Sequence, residues 1–186
     1  MEKKELQEYL WEDYTKMIGN RKVYHIIFIL VTQHGSWLRW RYVKNMRKAA
    51  FYQERFQKGN KFSGIPMMWY LRRKNIIGNK LGFEIGGGTE TIGKGLSIYH
   101  NGPVVIHGKS KIGDYCSLHG DNCIGNDGIN DECPVIGAHV DIGVGAKIIG
   151  GVYIADNCKI GAGAVVVSDF LESGSVIGGV PARKLK

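Results

Sequence analysis

Ile136-Gly-Ala-His-Val-Asp-Ile142-Gly-Val-Gly-Ala-Lys-Ile148-Ile-Gly-Gly-Val-Tyr-Ile154-Ala-Asp-Asn-Cys-Lys-Ile160-Gly-Ala-Gly-Ala-Val-Val166 is the stretch that decides the fold. An aliphatic residue returns at every sixth position. A small residue follows four places on, as at Val140, Ala146, Val152, Cys158 and Ala164. Upstream, Ile124, Leu118, Ile112 and Ile106 keep the same phase. A period of six matches neither the helical 3.6 nor the strand period of two. It is the period of hexapeptide β-helices, in which three hexads make one coil and stacked coils share a core. The fold expected is therefore mainly β: a left-handed parallel β-helix over residues 81–186, preceded by an α-helical, basic region over residues 1–80.

Two breaks stand out. Ile92, Ile98 and Val104 run at the same spacing but two residues out of phase with Ile106. That shift requires an irregular turn between His100 and Ile106, and irregular corners of regular scaffolds are where functional side chains concentrate. The second break is Asn126 to Pro134, where Asn130 takes an aliphatic slot. Asp127-Gly128 and Asn130-Asp131 are turn chemistry and favour a short loop leaving the coil.

Charge is lopsided. Residues 1–80 carry 17 Lys+Arg against 6 Asp+Glu, whereas residues 81–186 carry 8 against 11. Between Arg21 and Lys80 the only acid is Glu54. The four cysteines (116, 123, 133, 158) form no Cys-x-x-Cys pair, and Cys116 and Cys158 fall in inward slots, so reduced thiols and no metal site are expected. The N-terminus has no signal-peptide pattern, and the longest apolar run, Ile26 to Val31, is too short to span a bilayer. A cytoplasmic protein is expected, with the basic region as a candidate contact for the inner face of a membrane.

Within that region, Leu6, Tyr9, Leu10, Tyr14 and Met17 predict an amphipathic helix over 2–18 that stops at Gly19-Asn20. Tyr24 to Thr32 reads as a buried helix. Ser36 is the expected cap of a long helix to about Phe56, and a third runs from Met67 to Ile76 after Pro66. The plainest role is a cap sealing the open end of the β-helix, with a solvated basic face. Arg39, Arg41, Lys44, Arg47, Lys48, Arg72, Arg73 and Lys74, interleaved with Trp and Tyr, also suit an anionic membrane surface or a pyrophosphate-linked lipid carrier. No nucleic-acid module appears.

With the hexads placed, five strings resemble the hexapeptide-repeat acyltransferases, most of all the serine acetyltransferase branch and its relatives in surface-polysaccharide gene clusters. They are Ile92-Gly-Lys-Gly-Leu-Ser-Ile-Tyr-His100, Leu118-His-Gly-Asp-Asn-Cys-Ile-Gly125, Ile142-Gly-Val-Gly-Ala-Lys-Ile-Ile-Gly150, Ile160-Gly-Ala-Gly-Ala-Val-Val-Val167 and Gly178-Gly-Val-Pro-Ala-Arg183. The resemblance implies acetyl-CoA as donor, a trimer, no metal, and direct attack in a ternary complex. It makes His100 the base that takes the acceptor hydroxyl's proton, a task neutral imidazole suits near pH 7. It also implies an acid about fifteen residues earlier. Glu84, sixteen before His100, fits with one inserted glycine, and Glu90 is the fallback. For the CoA groove it points to Val144, Gly145, Lys159, Ala162 and Gly163, with Arg183 and Lys184 near the nucleotide phosphates.

The departures concern the acceptor. Serine-using members carry Asp just before the histidine and an Arg-His-Pro string in the following loop; here those places hold Tyr99 and Glu132-Cys133-Pro134. Glu132 would meet serine's carboxylate as a like charge, and Tyr99 offers a flat face suited to a sugar ring. His119, about one coil beyond His100, is a further candidate substrate contact; His107 and His139 have no such argument, and His25 and His34 read as structural. The expectation is an O-acetyltransferase acting on a carbohydrate hydroxyl, free or on a nucleotide- or lipid-linked sugar, in surface polysaccharide biosynthesis. The alternative is a serine O-acetyltransferase.

Overall fold

The computed structural model describes residues 1–19, 23–32 and 34–186. Four helices come first: α1 (Lys3–Met17), α2 (Val23–Val31), α3 (Gly35–Gln57) and α4 (Gly64–Leu81), with a 3-10 turn at Lys61–Ser63. Then follow β1 (Phe83–Ile85) and three full coils: β2 (Ser97–Ile98), β3 (Val104–Ile106), β4 (Lys111–Ile112); β5 (Ser117–Leu118), β6 (Asn122–Gly125), β7 (Val135–Ile136); β8 (Asp141–Ile142), β9 (Lys147–Ile149), β10 (Tyr153–Ile154). β11 (Lys159–Ile160) and β12 (Val165–Val166) continue the stack, and β13 (Val176–Gly179) pairs antiparallel with β14 (Ala182–Lys184) at its end.

Equivalent strands of successive coils pair in parallel and make three faces. Face I is β2-β5-β8-β11-β13-β14, face II β1-β3-β6-β9-β12, and face III β4-β7-β10. The hexad aliphatics stack in columns inside them. Ile98, Leu118, Ile142, Ile160 and Ile177 line face I, and Ile85, Ile106, Ile124, Ile148 and Val166 line face II. Burying such a side chain contributes roughly 1.5–3 kcal/mol, so a continuous column compensates for two- and three-residue strands. Cys116 and Cys158 are buried in the same core, and all four cysteines are free; burial pushes the Cys116 thiol up to about 11.

Both sequence breaks resolve as extra residues at corners. Ile98 pairs with Leu118, a step of twenty, because Tyr99 to Pro103 is two residues longer than an ordinary corner. Leu118 pairs with Ile142, a step of twenty-four, because Asn126 to Pro134 leaves the coil as a loop. Asp127 Oδ1 holds that loop by accepting from the backbone N–H of Ile129 and Asn130 at 2.9 and 2.8 Å.

The helices close the open end of the stack. Elsewhere each coil's backbone groups bond to the next coil, but the first coil has none above it. Tyr42 Oη therefore accepts from Ile85 N at 3.1 Å, and Lys74 Nζ donates to Ile85 O at 2.7 Å. Burial drives Tyr42 up to about 12. Arg47 donates to the carbonyls of Ile92 and Gly93 at 2.5 and 2.6 Å, while Asp13 Oδ1 accepts from Leu96 N at 2.9 Å. One apolar core accordingly runs from Met17 and Tyr42 through to Ala182.

Three helix expectations need correction. α2 is largely exposed, not buried: it rests on α3 through a few contacts, and Tyr24, Ile27, Phe28 and Val31 face outward. The cap of α3 is His34, whose Nδ1 accepts from Ser36 N at 3.3 Å; Ser36 is buried in the first turn. α4 is longer than expected because Pro66 sits in its first turn, where a missing N–H does no harm. It ends where Gly82 takes φ +78° and donates to Gly78 O. Asn20, part of the expected stop of α1, lies outside the described residues.

Candidate active site

The corners joining face I to face II lie one above another and form the edge that carries His100. Tyr99, His100, Asn101, Gly102 and Pro103 make the first corner. Gly120 lies beneath His100, since a Cβ added there would meet the His100 Cβ at 3.4 Å. Below, Gly145 N donates to Gly120 O at 3.0 Å and Gly163 N to Val144 O at 2.9 Å. His100 thus heads a ladder of turns made from the expected CoA-groove residues Val144, Gly145, Ala162 and Gly163. Gly145 and Gly163 adopt φ +75° and +67°. A Cβ at Gly163 would meet nothing within 4 Å, and one at Gly145 would have Asp121 Oδ2 as its nearest side-chain neighbour at 3.7 Å, so both turns leave backbone accessible.

Other residues fix this edge. Asn122 is buried at its base: Oδ1 accepts from Gly120 N at 2.9 Å and Nδ2 donates to Gly143 O at 2.8 Å. Arg39 reaches out of α3 to donate from Nη1 to Asn101 Oδ1 at 2.7 Å, next to His100. Burial pulls the Arg39 guanidinium down. Arg39 was visible in the sequence only as one cation among many, and Asn122 as a polar residue before a hexad aliphatic.

The register corrects one placement. Tyr99, not His100, stands over His119: Tyr99 N bonds Leu118 O, and the two rings lie 4.8 Å apart between centroids. His119 Nε2 in turn meets Asp141 Oδ1 at 2.7 Å. A Tyr99–His119–Asp141 row therefore runs down face I beside the His100 edge. Asp141 is a residue that sequence reasoning missed. The loop insertion places it twenty-four positions after Ser117 and so hides its coil position.

Not every expected partner arrives. Among the described residues no hydrogen bond joins Glu84 to His100. Glu84 is exposed on β1 in register with Val105, lining a cleft of about 720 Å³ with Lys74, Asn75 and Asn79. Glu90, the fallback, lies in the turn after β1 beside Gln53 and Gln57. Glu132 and Cys133 sit on a different edge, between faces II and III. There Glu132 packs against Gly151, and Cys133 Sγ lies 3.1 Å from His107 Nδ1. Lys159 is exposed in register with Asp141. Arg183 and Lys184 lie on β14, and Lys184 pairs with Glu172 at 2.5 Å. Tyr115 and His139 adopt φ +57° and +56° at the third edge and stack at 5.1 Å between centroids. No group of three His, Cys, Asp or Glu able to hold a metal occurs among the described residues, and no helix is long and apolar enough to cross a membrane.

No family model matches the chain. It is 36% identical over 104 residues to a serine acetyltransferase of Synechococcus elongatus, covering 55% of this chain and 42% of the relative. It is 39% identical over 106 residues to the serine acetyltransferase of Helicobacter pylori, covering 56% and 61%. The chain thus spans about half the length of the curated relatives it matches. Among solved structures, soybean serine acetyltransferase superposes with a TM-score of 0.67 at 24% identity, over 97% of this chain and 69% of that one. These relatives carry the name serine acetyltransferase; none of them speaks for a surface-polysaccharide branch. The chain has the serine acetyltransferase-like fold, a hexapeptide-repeat parallel β-helix behind N-terminal helices.

Proposed function

We propose that the protein is an acetyl-CoA-dependent O-acetyltransferase in which His100 is the general base. The observation that carries this reading is the edge itself: a histidine at the lengthened corner between faces I and II, above a ladder of open backbone turns. Neutral imidazole takes the acceptor hydroxyl's proton as the oxygen attacks the thioester carbonyl, and CoA leaves as its thiol. Val144, Gly145, Ala162 and Gly163 would hold the pantetheine arm through their backbones. Lys159, Arg183 and Lys184 would serve the phosphates, with Lys184 exchanging Glu172 for the ligand. Glu84 is the acid of this reading on its spacing from His100 alone.

Active enzyme is expected to be a trimer. His100 and the Glu132–Cys133 loop occupy different edges of one chain, so a site using both needs a neighbouring copy, and closed cyclic symmetry supplies it to every subunit. Sedimentation analysis is expected to give three copies; a stable, fully active monomer would refute the shared site. The same reading keeps the protein in the cytoplasm, with its basic helices toward the inner face of the membrane.

L-serine is the acceptor best supported by the relatives' names. Tyr99 and Glu132 replace charges that would grip the amino acid, so serine is expected to turn over with KM on the order of millimolar or above, the weak end of the usual range. Glu132→Arg is expected to lower that KM. A carbohydrate hydroxyl is the second reading, favoured by the exposed Tyr99 ring tilted against His119. CoA release measured against L-serine and a panel of hexoses and hexosamines separates the two. Saturation by serine with inert sugars supports the first reading; a saturable sugar with inert serine establishes the second. Release with neither refutes the transferase.

A further inference from the structure

We propose that the outer face of α4 is a docking surface for an anionic phospholipid bilayer. Along α4 the exposed positions are Ile65, Met68, Trp69, Arg72, Asn75, Ile76, Asn79 and Lys80, at steps of three and four that make one continuous stripe. Its apolar members are large and bare: Ile65 is 79% and Met68 64% exposed, and Phe62, in the turn just before α4, is 89% exposed. A stripe facing only water would be polar, as on an ordinary surface helix. Here large apolar side chains share the stripe with Arg72 and Lys80, and its only other members are the neutral Asn75 and Asn79, a composition compatible with a helix lying in a membrane interface.

Charge selects the occupant. No acid occurs from Arg55 to Phe83; Glu54, before that span, is taken by the N-terminal ammonium and Lys58, and Glu84, after it, lies in the cleft with Lys74 and makes no ion pair with the stripe among the described residues. Lys61, Arg72, Arg73 and Lys80 therefore lack acidic partners among the described residues. Beside the stripe, α3 and α4 enclose a hollow of about 210 Å³ lined by Trp37, Trp40, Lys44, Trp69 and Arg73, with Arg73 stacked 4.5 Å from the Trp69 ring and Lys44 4.6 Å from Trp40. Amphipathic rings paired with cations suit the headgroup level, where one end meets hydrocarbon and the other phosphate. A second copy of the same face would bring cation to cation, which opposes self-association. The bilayer supplies what is missing on both counts: anionic headgroups and an apolar interior.

This inference deepens the membrane-facing placement of the basic helices given above and is independent of the transfer chemistry. The test is flotation of the full chain with phosphatidylcholine vesicles, with or without one-third phosphatidylglycerol. Binding is expected only to the anionic vesicles, weakening with salt. Arg72→Gln with Lys80→Gln is expected to lower partitioning roughly thirtyfold, from about 1 kcal/mol for each cation removed at the surface. Trp69→Ser is expected to weaken binding without changing its salt dependence. CoA release with a soluble acceptor is expected to be unchanged in these variants, so loss of binding and loss of transfer are read separately. Equal binding to both vesicle types, or none to the anionic ones, overturns the proposal. So does an assembly larger than a trimer that the α4 substitutions dissolve, because the face is then a contact between copies.

Discussion

Replacing His100 by alanine is expected to lower kcat for acetyl transfer by roughly 10²–10⁴, the usual worth of a positioned general base. The side chain is exposed on the long corner and lies in no hexad column, so its loss removes almost no core. Stability should change by no more than about 0.5 kcal/mol, as for surface substitutions away from special features. KM for acetyl-CoA should hardly move, because the groove contacts proposed for the donor are backbone groups on lower coils. That split, a large fall in kcat with little change in donor KM, distinguishes a base from a residue that only shapes the groove. His119→Ala is the comparison. His119 is bonded to Asp141 and packs against Tyr99 with the rings tilted at 40°, so its loss should act mainly on acceptor KM. Near-full turnover by the His100 variant would show that the proton goes elsewhere, and the His119–Asp141 pair is then the next base to test.

The long-range order of this molecule was legible because one signal determines it three times over. A hexad aliphatic fixes which residue points inward, where the chain turns and which residue pairs one coil on. Irregularities were legible for the same reason: a broken period shows where residues have been added, as at His100 and at Asn126 to Pro134. What escaped the sequence lacked such a rule. Asp141 lies one coil below His119, but the loop adds six residues to that coil, and nothing local marks the pair. Apolarity alone could not separate a buried helix from an exposed one, so α2 was misjudged. His34 caps α3 with a ring nitrogen, a role for which serine was the stronger candidate. Glu84 matched by spacing, yet spacing does not orient a carboxylate. The acceptor stayed least legible, because Tyr99 and Glu132 stand on different edges and meet only if copies assemble.

Asp13→Ala is expected to cost about 3–5 kcal/mol, the penalty for leaving one member of a buried ion pair alone. Arg47 is fully buried, with Nε 2.9 Å from Asp13 Oδ2 and Nη2 3.3 Å from Oδ1. Its remaining donors satisfy the carbonyls of Ile92 and Gly93, while the Asp13 carboxylate satisfies Leu96 N. Burial pushes the Asp13 carboxyl up against the pull of Arg47, and the pair also completes the first coil's hydrogen bonds. Removing Asp13 therefore strands a guanidinium and a backbone N–H together, each costly where water is absent. Asp13→Asn keeps an acceptor for Leu96 N and should lose less. Asp13→Ala with Arg47→Met should lose less than the two single changes added, because no orphan charge remains, although the carbonyls of Ile92 and Gly93 stay unbonded. Urea unfolding at one fixed protein concentration, needed because assembly would contribute to the midpoint, gives all four values. A loss below about 1 kcal/mol for Asp13→Ala, no more than one ordinary hydrogen bond, would mean that the helical cap is held by its apolar contacts and that the buried pair is incidental to sealing the β-helix.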